Sequence, residues 1–210
     1  QTNLRYSLLE IISEGNNVGV FQLSTYTTTK YAKLIKPKNL SELSDTIALV
    51  RPGPADSGMT QLYIDRKHNK QKWPKKHPKY ESIVKNTYGI IVYQEQVMDV
   101  IYKVAGLPYS TADKIRKVIG KKRDPKEFKP YEEAFVEGCL KGRTFSEQEA
   151  REFWVALQSH ARYSFNKSHS CAYAILGYWC AWCKLYFPTA FISSSSLSGA
   201  EVAGPMVATI

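Results

Sequence analysis

The sequence predicts a mainly α-helical protein with a few short strands. Three observations carry that expectation. Apolar residues recur at helical spacing, most clearly Val97, Val100, Ile101 and Val104 within Gln94 to Ala105. Capping signals stand where such stretches begin: in Ser146-Glu147-Gln148-Glu149 the Ser-x-x-Glu spacing lets serine and glutamate satisfy each other's unpaired backbone N–H groups. Clusters of proline and glycine separate the stretches, as at Arg51-Pro52-Gly53-Pro54 and Gly106-Leu107-Pro108.

Taken in order, Tyr6 to Ser13 reads as a short apolar helix ended by Glu14-Gly15-Asn16-Asn17. Val18 to Leu23 alternates like a brief strand. Leu40 to Val50 is helical until two prolines and a glycine stop it, and Gly58 to Lys67 is a further helix. Arg66 to Lys79 is basic and polar, holds Pro74 and Pro78, and reads as an exposed loop. Tyr88 to Tyr93 has strand character and leads into the Gln94 to Ala105 helix. Ser110-Thr111-Ala112-Asp113 caps the next helix, which runs to about Gly120. Pro125 to Leu140 and Ser146 to His160 are two more. A turn at Arg162 to Asn166 precedes a long aromatic helix, Ser168 to Phe187. No internal repeat or low-complexity linker interrupts the pattern.

Hydrophobic residues make up 43% of the 210 residues, enough for a packed core. Lys and Arg number 29 against 19 Asp and Glu, a net charge of +10, which favours a polyanionic partner such as nucleic acid or nucleotide phosphate. No signal pattern and no apolar run of roughly 18 residues occurs, so no membrane span is expected. Cys171 to Phe187 is the most apolar segment, and its Lys184, Tyr and Trp residues suit a buried helix better than a bilayer. Of Cys139, Cys171, Cys180 and Cys183, three share that helix, which suits a reduced, cytoplasmic protein. Cys180 and Cys183 have C-x-x-C spacing, but without a second ligand pair or a preceding strand they read as packing thiols rather than zinc or redox groups. The chain begins at Gln1 and ends on the small residues Ser193 to Ile210, and a fragment of a longer protein is expected.

The densest cationic cluster is Lys114, Arg116, Lys117, Lys121, Lys122 and Arg123. On a helix Lys114, Lys117 and Lys121 share one face while Ile115, Val118 and Ile119 turn to the core. Such a strip repels itself unless an anion sits against it, and phosphate suits the arginine fork and the lysine point charge; a plain solvated face is the competing reading. A second constellation, Tyr163-Ser164-Phe165-Asn166-Lys167-Ser168-His169-Ser170, gathers amide, ammonium, hydroxyl and imidazole groups at a helix entry, where N–H groups favour anions. Asn166 or Ser168 alone would be a cap, and His169 alone a packing residue; Lys167 and His169 together exceed what capping requires. Arg51, held at a helix end by a proline-locked turn, is either simple punctuation or a functional residue. Glu95, between Gln94 and Gln96, sits in a polar cluster at a strand-to-helix junction. Two-metal chemistry needs carboxylates around ions about 4 Å apart, and the chain has no close Asp-x-Asp pair; Asp113 and Asp124 flank the basic strip, where they would cap and balance charge.

Four stretches, in this order, resemble the fingers of the bacterial C-family DNA polymerase III alpha subunit: Val20-Phe21-Gln22-Leu23; Ala48-Leu49-Val50-Arg51-Pro52-Gly53-Pro54 with Ser57-Gly58-Met59; Thr87-Tyr88-Gly89-Ile90-Ile91-Val92-Tyr93-Gln94-Glu95-Gln96-Val97-Met98; and Phe165-Asn166-Lys167-Ser168-His169-Ser170 with Ala172-Tyr173-Ala174. Tyr63-Ile64-Asp65-Arg66-Lys67-His68 fits between the second and third. The resemblance runs from about residue 7 to 192. It implies that residues 1–192 are a partial fingers domain and 193–210 the start of the following segment.

It also implies a DNA-directed DNA polymerase, a nucleotidyltransferase whose Mg2+ ions are held by palm aspartates outside this chain. The fingers would close over the incoming dNTP and the DNA primer-template. Partners would be the rest of the alpha subunit and, through regions outside this chain, a sliding clamp. Two adjacent basic residues of the family's Leu-Arg-Arg-Ala-Met-Gly-Lys-Lys motif contact the triphosphate, and the matching positions are Arg116 and Lys117, followed by Gly120, Lys121 and Lys122. The expected phosphate set is Arg116, Lys117, Lys121, Lys122, Arg51, Asn166, Lys167 and His169, with Lys114 and Arg123 on DNA and no metal ligand or catalytic residue in the chain itself. Two positions depart from the pattern. Lys117 replaces an arginine and loses its fork, and Ser24-Thr25 stands where the family has Glu-Ser. The competing reading is a free-standing basic helical module that binds nucleic acid without chemistry.

Overall fold

The computed structural model describes residues 7–74, 76–120 and 125–197. Among them lie twelve α-helices and no strand beyond a single bridge pair, so the mainly helical expectation holds. The two short strands do not form, for different reasons. In Val18 to Leu23 the buried residues are Val20 and Leu23, three apart rather than alternate, and tight turns close through Val20 N–H to the Asn17 carbonyl and Leu23 N–H to Val20. Gln22 takes a positive φ of 61°, which no strand accommodates. Tyr88 likewise has φ 54°, and the extended run after it meets another chain segment at one pair only, Tyr93 with Phe165.

The described residues divide into two compact units, one built from the segment up to Val50 together with that from Ser168 onward, the other from Arg51–Lys167. The first holds α1 (Leu8–Glu14), α2 (Tyr26–Ile35), α3 (Leu40–Leu49), nearly all of α11 (Lys167–Tyr186) and α12 (Pro188–Leu197). Helix α1 starts where Ser7 and Glu10 form a reciprocal capping box. Helix α2 has no counterpart in the sequence reading because its only buried residues are Ala32 and Ile35, too few to set a periodicity. The core joins Ile12, Val20, Leu23, Leu43 and Ile47 to the small residues of α11. That helix was expected to be a buried one rather than a bilayer span. It buries Ser170, Ala174, Gly177 and Ala181, one residue per turn, and leaves Trp179 60% exposed, because only small side chains let its backbone approach the Phe21 carbonyl and the Leu23 side chain. Lys184, half-buried on the same helix, donates to the Asn16 carbonyl, Asn16 Oδ1 and the Val18 carbonyl at 2.9–3.1 Å, and burial lowers its pKa. No described helix is long and apolar enough to cross a membrane.

The second unit contains α4 (Pro52–Asp56), α5 (Met59–Lys67), α6 (Pro78–Val84) with a 3-10 turn at Lys85–Thr87, α7 (Gln94–Lys103), α8 (Tyr109–Gly120), α9 (Pro125–Lys141) and α10 (Glu147–Tyr163). The Pro-Gly-Pro run that ends α3 also starts α4, since proline at the first helical position forfeits no hydrogen bond. Helix α8 starts at Tyr109, not at a Ser110–Asp113 cap: the Thr111 and Ala112 N–H groups bond the Pro108 carbonyl, so Asp113 lies inside the helix. The Arg66 to Lys79 stretch is not uniformly exposed, because Lys67 is buried and Trp73 packs on the core.

That core is formed by Val97, Val100, Ile101 and Val104 of α7, Ile115 and Ile119 of α8, Phe135 of α9, and Phe153, Trp154 and Leu157 of α10. Phe135 stacks on Phe153 at 6.1 Å and tilts against Trp154 at 5.3 Å. Burying each such aromatic is worth roughly 1.5–3 kcal/mol. Gly138 lets α9 meet α7's exit, since a Cβ there would lie 2.0 Å from the Ala105 carbonyl oxygen. Cys139 is buried, which pushes its thiol pKa up, and all four cysteines are unpaired.

Candidate functional site

The site grows from three consecutive polar residues at the start of α7. Ile90, Ile91 and Val92 run extended and fully buried without a sheet partner, so their backbone groups need other acceptors and donors. Gln96 supplies them. Its Oε1 accepts from Val92 N–H at 2.8 Å and Tyr93 N–H at 3.0 Å, while Nε2 donates to the Ile83 carbonyl and to Thr87 Oγ1. All the bonds that the buried amide can form directly are thus made. Phe165 adds two backbone bonds, its N–H to Val92 O and its carbonyl from Gln94 N–H, both 2.9 Å.

This fixed segment aims the other two side chains. Gln94 Oε1 accepts from Arg116 Nη1 at 3.1 Å, and Glu95 accepts the Lys167 backbone N–H through both oxygens, at 3.2 and 3.0 Å. Glu95 therefore caps the first turn of α11, where unpaired N–H groups and the helix dipole favour a negative group. The Lys167 ammonium lies 5.6 Å from the centre of the Tyr93 ring.

On α8, Asp113 is shared by two cations. Its Oδ1 receives Arg116 at 2.8 Å and its Oδ2 receives Lys117 at 2.6 Å. The carboxyl is held below its ordinary pKa, first by the Lys117 hydrogen bond and then by that of Arg116. Arg116 is the more enclosed of the pair, with 22% of its side chain exposed against 59% for Lys117. Lys114 is exposed on the same helix, whose Ile115 and Ile119 are buried as expected.

Arg51 precedes α4 without a side-chain capping bond to it; its Nη2 donates to the Tyr163 carbonyl at the end of α10 at 2.7 Å, and its guanidinium lies 4.4 Å from the centre of the Phe165 ring. Burial lowers its pKa. Gly53 next to it makes room for the Tyr163 ring, which a Cβ would meet at 2.7 Å.

Arg116, Arg51 and Lys167 are thus tied to one scaffold of Tyr93 to Gln96 and Phe165, with the exposed Asn166 between Phe165 and Lys167, while Lys117 is joined to Arg116 through Asp113. His169 belongs to the other unit, where its ring lies 3.9 Å from that of Tyr173, which in turn meets the Phe21 ring edge-on at 5.1 Å. There Ser170 donates to the Ser44 carbonyl at 2.7 Å. Lys121, Lys122 and Arg123 lie outside the described residues. The sequence reading missed the division of labour among Gln94, Glu95 and Gln96; its only visible signal was three uncharged or acidic polar residues in a row after a buried run. Among the described residues no three of His, Cys, Asp and Glu gather where a metal ion could sit, and Asp113 is taken up by its two cations, so the described residues do not fit a magnesium centre.

Comparison with known proteins agrees with the motif pattern. Residues 6–143 match the family model described as bacterial DNA polymerase III alpha subunit finger domain. The chain is 38% identical over 184 residues to the DNA polymerase III subunit alpha of Aquifex aeolicus, covering 88% of this chain and 16% of that protein. It is 39% identical over 194 residues to that of Pseudomonas aeruginosa, covering 90% and 16%, and 37% identical over 183 residues to that of Bacillus subtilis, covering 87% and 16%. The chain spans about 16% of the length of these relatives.

Proposed function

The chain belongs to the bacterial DNA polymerase III alpha subunit finger-domain family, and on that footing we propose that it is the part of a DNA-directed DNA polymerase that grips the incoming dNTP. Residues 1–192 form the fingers in this reading, and 193–210 begin the next segment. The observation that carries the proposal is the joint anchoring of Arg116 and Lys167. Gln94 orients one and Glu95 the backbone of the other, so two cations from α8 and α11 are set by adjacent residues of one rigid segment. Cations positioned in this way can meet an arriving polyphosphate once the Asp113 side chain swings aside.

In the proposed mechanism Arg116 offers its fork to a phosphate of the dNTP, releasing Asp113, and Lys117 meets a neighbouring phosphate or the primer-template backbone. Lys167 and Asn166 close the same ligand from the entry of α11, and Arg51 lends charge from behind Phe165. Lys121 and Lys122 complete the phosphate set, and Lys114 and Arg123 meet the DNA strand. The Mg2+ ions that nucleotidyl transfer requires are assigned to carboxylates elsewhere in the longer subunit, and this chain supplies binding and orientation. The remaining alpha subunit and a sliding clamp are the proposed protein partners, and the cytoplasm the proposed location.

The test is Arg116→Ala in the full-length subunit. A hydrogen bond to a charged group is worth roughly 1.5–3 kcal/mol, so apparent dNTP affinity in primer extension is expected to fall about tenfold to a hundredfold. Duplex binding without nucleotide changes far less, because other cations still meet the backbone. If the variant keeps its dNTP dependence and loses only salt-sensitive DNA binding, the strip holds template and not triphosphate.

A further inference from the structure

A second group of cations lies in the Arg51–Lys167 unit and plays no part in the site above. A cavity of about 110 Å³ opens between α5, α6 and α10, lined among others by Arg66, Trp73, Lys76, Tyr80, Phe153 and His160. A water takes about 30 Å³ in the liquid, so the space exceeds what one or two bridging waters fill.

Its polar lining is one-sided. Arg66, Lys76 and His160 carry nitrogen donors and Tyr80 a hydroxyl, while no carboxylate occurs among the described lining residues. Arg66 spends Nη1 on the Tyr88 and Gly89 carbonyls, at 3.4 and 3.1 Å, and its Nε is buried with no partner. His160 Nδ1 is buried and unpartnered as well. The Lys76 ammonium stands 5.3 Å from the centre of the Phe153 ring. These two nitrogens are closed off even from the cavity, so a ligand there would be met by the other nitrogens of the same side chains, Arg66 Nη2 and His160 Nε2, which make no hydrogen bond among the described residues. Burial lowers the pKa of both Arg66 and His160, and the positive charge of Arg66 adds to the effect on His160. An anion in the cavity would relieve both.

We propose that this cavity is a binding site for a phosphate-type oxyanion, held by Arg66, Lys76 and His160 against the Trp73 and Tyr80 rings. The same chemistry is presented by a free phosphate and by the phosphodiester of a nucleic-acid strand. The proposal is independent of the assignment of Arg116 to the triphosphate.

The test is a nuclear magnetic resonance titration of the full chain with inorganic phosphate at constant ionic strength, chloride serving as the reference. The Trp73 indole N–H and the His160 ring signals are expected to shift saturably with phosphate and not with chloride. His160→Phe and Lys76→Ala are each expected to weaken the apparent affinity about tenfold or more, since a lost hydrogen bond to a charged group is worth at least about that factor. Neither variant touches the bonds of Arg66 to the Tyr88 and Gly89 carbonyls, so folding is retained, and circular dichroism of each variant checks it. Repeating the titration with a short single-stranded oligonucleotide identifies the source: signals moved by phosphate alone mean a free anion, and signals moved by the oligonucleotide and displaced by phosphate mean a strand phosphate. Absence of any saturable shift overturns the proposal. So does a shift that survives both variants but disappears in Arg116→Ala, which would place the anion on α8.

Discussion

Arg51 and Arg116 carry the same guanidinium within the same unit, yet they are held by different kinds of partner. Arg51 donates to a main-chain carbonyl, that of Tyr163, and lies on the Phe165 ring. Arg116 spends its fork on side chains, the Asp113 carboxylate and the Gln94 amide oxygen. A carbonyl inside a folded turn leaves only if the turn unfolds. A carboxylate leaves by rotating about its own side-chain bonds, and phosphate can take its place. The contrast separates a cation that builds the site from one that can be handed to a ligand, a distinction that charge counts miss.

The sharpest way to break the comparison is Arg51→Met. It removes a charge-assisted bond and a cation–ring contact and strands the Tyr163 carbonyl, so unfolding in urea is expected about 3 kcal/mol easier. An unchanged midpoint would mean that Arg51 is as dispensable to the fold as a surface charge. Arg116→Ala is the counterpart. Its loss of ligand affinity is given above, while its stability is expected to move by less than about 1 kcal/mol, because partly exposed ion pairs contribute little. Lys117→Arg restores a fork and is expected to leave dNTP affinity equal or improved, measured in the same primer-extension assay.

Gly53→Ala tests the turn without touching a charge. The new methyl would meet the Tyr163 ring at 2.7 Å, and displacing that ring is expected to cost about 1–2 kcal/mol of stability by thermal melting. The smallest effect is expected at Asp113. Asp113→Asn removes the competitor for Arg116 and Lys117, so phosphate-ligand affinity is expected to rise about two- to fivefold at low salt, a gain that salt erases. Because the folded carboxyl titrates below its ordinary value, its contribution to stability is present above that ordinary value and disappears as pH falls through the lowered one. A carboxyl titration read by nuclear magnetic resonance that falls at or above the usual carboxylate range would remove Asp113 from the bridge.

Most helices were legible before any coordinates, because their apolar residues repeat at helical spacing and their ends carry caps or prolines. The α10 capping box at Ser146 and Glu149 forms as read, with Ser146 N–H to Glu149 Oε2 at 2.9 Å. The inward turn of Ile115 and Ile119 was legible too, and with it the outward face of α8. Helix α6 escapes the sequence reading: the stretch that reads as a loop ends at Lys79, although Pro78 serves as the first residue of the helix, and Tyr80 to Val84 carry no assignment.

What the sequence by itself determined is therefore local and ordinal: where helices run, which face of α8 is charged, and the order of motifs that marks the family. Tertiary structure decided what each polar residue is bonded to, because those partners are distant along the chain. Arg116 and Gln94 are 22 residues apart, Lys167 and Glu95 72, and Arg51 and Tyr163 112. Whether Ile90 to Val92 pairs as a strand was likewise decided at long range: a strand needs a neighbour, and here the Gln96 side chain meets its backbone instead. The same holds for α11, whose aromatic composition suggested burial. Its packing selects the small residues, since only they let another backbone come close.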